Sequence, residues 1–168
     1  MSLEHITSVS SQGVASFDLT NVFTDRFSVY RVDLWNADIS NADYTYFRII
    51  NSSETDSDSN YDMANYFMYS HTTDAPSYSE NITTANYLGY QYPAGYDDGM
   101  GATMYVFNAA DAATYTAFTA QTVSFANGVG MYNSNSIFMH KVAEAVTGLS
   151  FQRTGTWNNI KATVYGVQ

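Results

Sequence analysis

The sequence predicts an all-β fold, an antiparallel sandwich of about eight short strands with little helix. Several segments alternate apolar and polar side chains, which is the two-residue period of a half-buried strand. Turn-forming Gly, Pro, Asn and Asp residues separate these segments. Aromatic residues make up 16% of the chain, with 15 Tyr and 10 Phe, and they favour strands. The 168 residues suffice for one hydrophobic core, so we expect a single domain over residues 14–168.

An N-terminal arm is expected over residues 1–13, because this segment is rich in Ser and Thr and ends at Gln12-Gly13. An arm of this kind is either disordered or pairs with a neighbouring subunit. Its candidate partner-binding residues are Leu3, His5, Ile6 and Val9.

Strand patterning recurs at seven places before residue 148. Segment 61–69 also fits one or two helical turns, although a strand is favoured. Segment 108–120 is rich in Ala and is a candidate helical turn, which its β-branched Thr residues weaken. Turns are expected at 36–43 and 70–101, and a solvated loop at 51–60. The predicted strands are 26–35, 44–51, 61–69, 85–91, 102–107, 121–126 and 137–145.

The C-terminus is predicted to form a hairpin that closes the sandwich. Leu149 and Phe151 alternate with polar neighbours, and so do Ile160 and Val164. A turn that contains glycine, at 154–159, separates the two runs.

Composition and charge exclude several classes of function. The net charge of −10 would repel a phosphate backbone, so no nucleic-acid partner is expected. No run approaches the roughly 18 apolar residues of a membrane-spanning helix, and none is predicted. The absence of cysteine fits assembly in a reducing compartment. Residues 1–5 lack the basic and apolar regions of a secretory signal.

One acidic loop is a weak candidate for calcium binding, because oxygen-bearing side chains alternate along it. It departs from the EF-hand pattern, since Tyr61 stands where glycine is needed and Phe67 where the bidentate Glu belongs. A solvated acidic loop is the favoured interpretation. The candidate ligands are Asp56, Asp58, Asn60 and Asp62.

The three histidines do not predict a zinc site. His5, His71 and His140 have no second His or Cys at ligand spacing. Because His140 follows an apolar run, we expect it to be a packed or edge residue rather than a base.

Catalytic signals are weak. Asp97 and Asp98 are candidate halves of a carboxylate pair for glycoside hydrolysis, with Glu80 or Glu144 as partner. The pair Asp98-Gly99 is also common in turns, and a turn is favoured over a catalytic role. The sequence has no nucleophile elbow, phosphate loop or dinucleotide fingerprint. We therefore predict that the protein is not an enzyme and needs no cofactor.

A cluster of tyrosines is a candidate for sugar stacking, since an aromatic face suits the apolar face of a pyranose ring. Aromatic residues in strands are more often core or subunit contacts, and that alternative stays open. The candidates are Tyr87, Tyr90, Tyr92 and Tyr96, and Trp35 and Trp157 are further candidates.

Three segments resemble a group of tailed-bacteriophage virion proteins that contain a jelly-roll domain. The first is Phe-Ser-Val-Tyr-Arg-Val-Asp-Leu at 27–34. The second is the strand run at 46–51, followed by a polar loop and the Asn-Tyr pair at 60–61. The third combines 148–151 with the closing run at 162–167, which contains Tyr-Gly before an aliphatic residue. The second segment departs from the group's pattern, because its turn lacks the glycine often found there.

The resemblance implies a jelly-roll-like sandwich and a virion structural protein without catalytic residues. The preferred role is a capsid decoration or cement protein on the outer capsid surface, assembled in the host cytoplasm. Its expected partners are the major capsid protein and further copies of itself, most readily as a homotrimer. The alternative is a tail or head appendage that binds host surface glycans.

Overall fold

The computed structural model describes residues 2–39, 45–52, 54–69, 77–85, 88–91, 100–126 and 130–168. It confirms the all-β fold class: these ranges hold eleven strands and no helix, and so no helix that could cross a membrane. The strands are β1 (Leu3–Ser11), β2 (Val14–Leu19), β3 (Val29–Ile39), β4 (Thr45–Ile50), β5 (Tyr61–Tyr69), β6 (Ser77–Ala85), β7 (Leu88–Gln91), β8 (Met100–Phe107), β9 (Thr116–Ala126), β10 (Gly130–His140) and β11 (Gly148–Val167).

The 20-residue strand β11 organises the sheet, because it has antiparallel partners along both edges. One edge pairs with β2 and then β1, and the other pairs with β4 and then β3. Trp157 aligns with Val14 on one side and Ile39 on the other, which places β2 and β3 on opposite edges.

The sheet is curled, so that its two ends face each other. From β11 it continues through β3, β8, β9, β10 and β5 to β6 in one direction, and through β4 to β7 in the other. Phe47 of β4 lies with its ring centroid 5.7 Å from Phe118 of β9 and 5.3 Å from Phe138 of β10. The curled sheet thus has two facing layers, with β4 in one and β9 and β10 in the other. Edge-to-face aromatic contacts fill the core between them.

The predicted terminal hairpin is wrong, because segment 148–167 is one continuous strand. The two alternating runs are real: Leu149 and Phe151 are buried, and so are Ile160 and Val164. The buried apolar side chains have odd residue numbers in the first run and even numbers in the second. The alternation changes because the register with β3 shifts twice between residues 157 and 161. A bulge bends and twists a strand without reversing it.

Residues 3–11 form a strand of the domain itself. β1 pairs with β11 from Leu3 opposite Val167 to Ser11 opposite Ile160. This differs from the expected loose or intersubunit arm. Gly13, at a φ of 66°, lies between β1 and β2 and lets both strands follow β11.

Other predicted boundaries move for local reasons. Of the turn expected at 36–43, residues 36–39 instead belong to β3, with a bulge where Asn36 adopts a φ of 51°, and residues 40–43 lie outside the described residues. Segment 61–69 is a strand, as favoured. The helical turn at 108–120 does not form, and β9 begins there at Thr116. Segment 85–91 contains the end of β6 and all of β7, and β10 stops at His140.

Candidate functional site

The outer face of β5, β10, β9 and β8 carries a trough of about 720 Å³. Antiparallel pairing aligns its side chains in rows that cross the four strands. One row consists of Tyr66, Asn135, Gln121 and Thr103. The next row consists of Ala64, Ile137, Thr119 and Tyr105. These eight side chains define what we call the trough.

Every residue that lines the trough in the described part of the chain is uncharged. The nearest charges along these rows are on β3, where Arg31 aligns with Tyr105 and Asp33 with Thr103. Arg31 Nε donates to Asp33 Oδ1 at 2.9 Å, and this bond raises the pKa of Arg31. Since the two charges offset each other, the trough is electrically neutral on a strongly acidic protein.

Polar groups in the trough are available for a ligand. Within the described ranges, neither the Gln121 amide nor the Tyr66 hydroxyl has a hydrogen-bond partner, and both side chains are exposed. The Asn135 amide nitrogen donates to Asn133 Oδ1 at 3.1 Å, which leaves the Asn135 side-chain oxygen as an acceptor for a ligand. The trough thus combines aromatic surface with amide and hydroxyl groups.

The same face exposes an unusual amount of apolar surface. Six of the nine large hydrophobic side chains that are exposed in the described residues lie on it. Exposed apolar patches mark surfaces that bind a ligand or a partner. The six are Tyr66, Met68, Val123, Met131, Ile137 and Met139.

A second cluster is buried where the loop after β4 meets the end of β10. His140 Nε2 lies 2.7 Å from Asp56 Oδ2 and 3.6 Å from Glu144 Oε1. The Tyr61 hydroxyl donates to the Asp56 carbonyl at 2.9 Å, and Asn51 Nδ2 donates to Glu144 Oε2 at 3.3 Å. Burial raises the pKa of the Tyr61 phenol.

Asp56, His140 and Glu144 have the composition of a metal site, and their ligand atoms all lie within 4.8 Å of one another. The hydrogen bond between Nε2 and Asp56 favours a different role. A metal on Nε2 would move the ring proton to Nδ1, which is buried and has no partner among the described residues. The arrangement therefore favours a hydrogen-bonded link between the loop and the sheet.

Three of the four predicted calcium ligands are carboxylates, and within the described residues they have other surroundings. Asp56 bonds His140 through one carboxylate oxygen and the backbone N–H of Asp58 through the other. Asp62 Oδ1 lies 2.7 Å from Lys141 Nζ. Asp58 is exposed and Asn60 is half-buried. Asp56, Asp58 and Asp62 do not converge as a set of three carboxylates.

The arm candidates divide by exposure. Leu3 is exposed, and the His5 ring lies edge-on to Tyr165 at 6.0 Å. Ile6 and Val9 pack against the core. Partner binding by these four residues stays a prediction.

Several predicted candidates lie outside the described residues: Tyr87, Tyr92, Tyr96, Asp97, Asp98 and His71. Tyr90 is in β7 and Glu80 in β6, and their side chains are likewise outside the description. Trp35 is half exposed beneath Lys161 Nζ, 4.8 Å from the ring centroid, whereas Trp157 is buried in the core. His140 is fully buried, in agreement with a packed histidine.

Sequence reasoning missed the trough. The available signal was the outward positions of the strands, which carry Tyr, Ile, Gln and Asn where charged residues are usual. Comparison with protein-family models finds no match for this chain, and comparison with curated proteins finds none either.

Proposed function

We propose that this protein is a virion structural protein of a tailed bacteriophage, and specifically a decoration protein on the outer capsid surface. The observation that carries the proposal is the arrangement of the three segments that resemble phage virion proteins. Segment 27–34 runs into β3, segment 46–51 overlaps all of β4 except its first residue, and segments 148–151 and 162–167 belong to β11. Val32 aligns with Val164 and Phe47 with Phe151, so the three segments form one hydrogen-bonded unit.

Docking through a sheet edge is the mode of attachment that we propose. Among the described residues, β1 and β2 pair only with β11, so the outer edge of this long two-part strand has no strand beside it. A free edge offers a row of backbone donors and acceptors to a strand of another chain. Leu3 is exposed at one end of that edge. The proposed partners at this edge are the major capsid protein and neighbouring copies of this chain.

Charge is consistent with an outer position. With a net charge of −10, the protein would be repelled by packaged DNA if it lay inside the shell. On the outer surface of the shell it would not face that DNA. The charged share of 13% is about half the usual proportion, which suits wide contacts between subunits.

The experiment is to purify virions of the source phage, detect this chain in them by mass spectrometry, and find its position by cryo-electron microscopy. We expect density on the outer shell at repeated lattice positions. Density on the tail or on a head appendage would favour the alternative role, and absence from washed virions would refute both.

The edge is tested separately by adding Leu3→Glu protein to particles that lack the decoration. We expect weaker binding than for the wild type, because a charge then faces the docking edge. Ala113→Glu adds the same charge at an exposed turn between β8 and β9, outside the β1 and β2 edge, and is the matched control. Equal binding by the two variants would argue against edge docking.

A further inference from the structure

We infer that the trough on β5, β10, β9 and β8 is a binding site for a neutral saccharide. Its volume of about 720 Å³ lies within the range of small-molecule sites. The row from Tyr66 to Thr103 crosses four strands and so extends about 14 Å at the usual strand spacing. This length suits a short oligosaccharide rather than a single small ion.

The charge of the site selects the class of ligand. Since none of the described residues that line the trough is basic, a phosphate, sulfate or carboxylate group would lose water without gaining a counter-charge. None of these described lining residues carries a carboxylate, so they offer a cationic ligand no partner either. A neutral ligand with many hydroxyl groups avoids both costs.

The chemistry of the side chains matches the two faces of a sugar. Tyr66 is 45% exposed and Ile137 is 61% exposed, and they offer apolar surface to the C–H face of a pyranose ring. Gln121, Asn135 and Thr103 supply amide and hydroxyl groups that hydrogen-bond to sugar hydroxyls.

An apolar protein partner is the less favourable occupant. Such a partner would bury the Gln121 amide, which has no hydrogen-bond partner among the described residues, beneath apolar surface. An unsatisfied buried amide is costly, whereas a saccharide satisfies it. The apolar side chains around the trough then exclude water from a polar ligand.

The inference is independent of the capsid position, because it concerns the isolated chain. The experiment presents labelled full-length protein to an array that carries neutral, sialylated and sulfated glycans. The best neutral glycan is then measured by isothermal titration calorimetry. We expect binding to neutral glycans and none that depends on an anionic group.

Two trough variants and one control test the location. Tyr66→Ala and Gln121→Ala should each weaken binding about tenfold or more. Tyr115→Ala removes an equally exposed tyrosine from a turn outside the trough and should bind like the wild type. Because all three side chains are exposed, circular dichroism spectra should stay unchanged.

Three outcomes would overturn the inference. They are no binding to any neutral glycan, a preference for anionic glycans, and equal binding by the trough variants and the control variant. If light scattering shows self-association that Tyr66→Ala abolishes while no glycan binds, the face is a contact between copies and the saccharide site is refuted.

Discussion

The polar residues around His140 show how a loop without hydrophobic side chains is attached to the sheet. Asp56 is buried although it lies in a run of Ser, Asp and Asn, because it accepts hydrogen bonds from the His140 ring and from the backbone of its own loop. The Tyr61 hydroxyl adds a third bond and accepts from the Ile49 N–H at 3.3 Å. Each bond compensates a group that burial would otherwise penalise.

Replacing Asp56 by Asn should destabilise the fold by about 1–3 kcal/mol. The Asn amide can donate to His140 Nε2 only if the ring proton moves to Nδ1, where the described residues offer no acceptor. Asp58→Asn, in the same loop at an exposed position, should stay within about 0.5 kcal/mol of the wild type. Urea denaturation measures both, and equal losses would contradict the proposed link.

Stability should fall as pH rises above about 10, and Tyr61 should account for part of the fall. Burial raises the pKa of Tyr61 in the folded protein, so the unfolded chain loses this proton first. The free energy of unfolding is therefore fully retained below pH 10 and declines above it.

The free energy of unfolding of the Tyr61→Phe variant should decline less steeply above pH 10 than that of the wild type. The difference in slope should be up to about 1.4 kcal/mol per pH unit. Denaturation curves between pH 8 and 11 would show the difference. Tyr115→Phe changes a half-exposed tyrosine and supplies the control. Parallel pH profiles for the wild type and Tyr61→Phe would refute the assignment.

At the scale of elements, β11 holds the molecule together. Close packing against its glycines makes this possible, since neighbouring groups occupy the space that a side chain would need. A Cβ at Gly166 would overlap the ring of Phe27, and one at Gly148 would overlap the backbone of Leu19.

Gly166→Ala should cost about 1–3 kcal/mol, because the Phe27 ring must move out of a packed core. Gly101→Ala is the matched change in β8: its Cβ would lie 3.7 Å from Val123 Cγ1, an ordinary contact. That variant should be neutral or gain up to about 1 kcal/mol by restricting the unfolded chain. Thermal unfolding compares the two, and a Gly101→Ala loss as large as that of Gly166→Ala would contradict this explanation.

At the scale of the whole molecule, two layers share one strand. The first half of β11 lies in the layer of β2, β4 and β7, and its second half lies in the layer of β1, β3 and β8. Phe47 connects the layers through its ring contacts with Phe118 of β9 and Phe138 of β10. We therefore expect the layers to unfold together.

Phe47→Ala should cost about 3–5 kcal/mol and keep unfolding to a single transition, because the cavity lies between both layers. Tyr46→Ala changes the neighbouring, half-buried residue on the other face of β4 and should cost clearly less. Denaturation followed by tryptophan fluorescence and circular dichroism would test this. Two separate transitions would show that the layers unfold independently.

The periodicity of the chain was sufficient for the fold class and for most strand positions. The alternation in β3, β4, β5 and β8 identified strands that the structure contains. Periodicity could not distinguish a bulge from a turn, because both interrupt the alternation. For this reason the sequence predicts a turn at 154–159 within β11 and an end of the β3 strand at Trp35, before Asn36.

The candidate site depended on contacts between distant residues. Tyr66, Asn135, Gln121 and Thr103 belong to four strands, and only the register of three strand pairs aligns them. Similarly, Asp56 and His140 are 84 residues apart, and the sequence identified each without its partner.

The sequence by itself determined that this chain is an all-β, acidic protein whose strands each have one buried face, because these properties follow from local period and composition. Tertiary structure decided that the last twenty residues form one strand with partners on both edges, and that neutral side chains converge in a trough. The physical reason is that local alternation specifies which side chains are buried, whereas strand order and register specify which side chains meet.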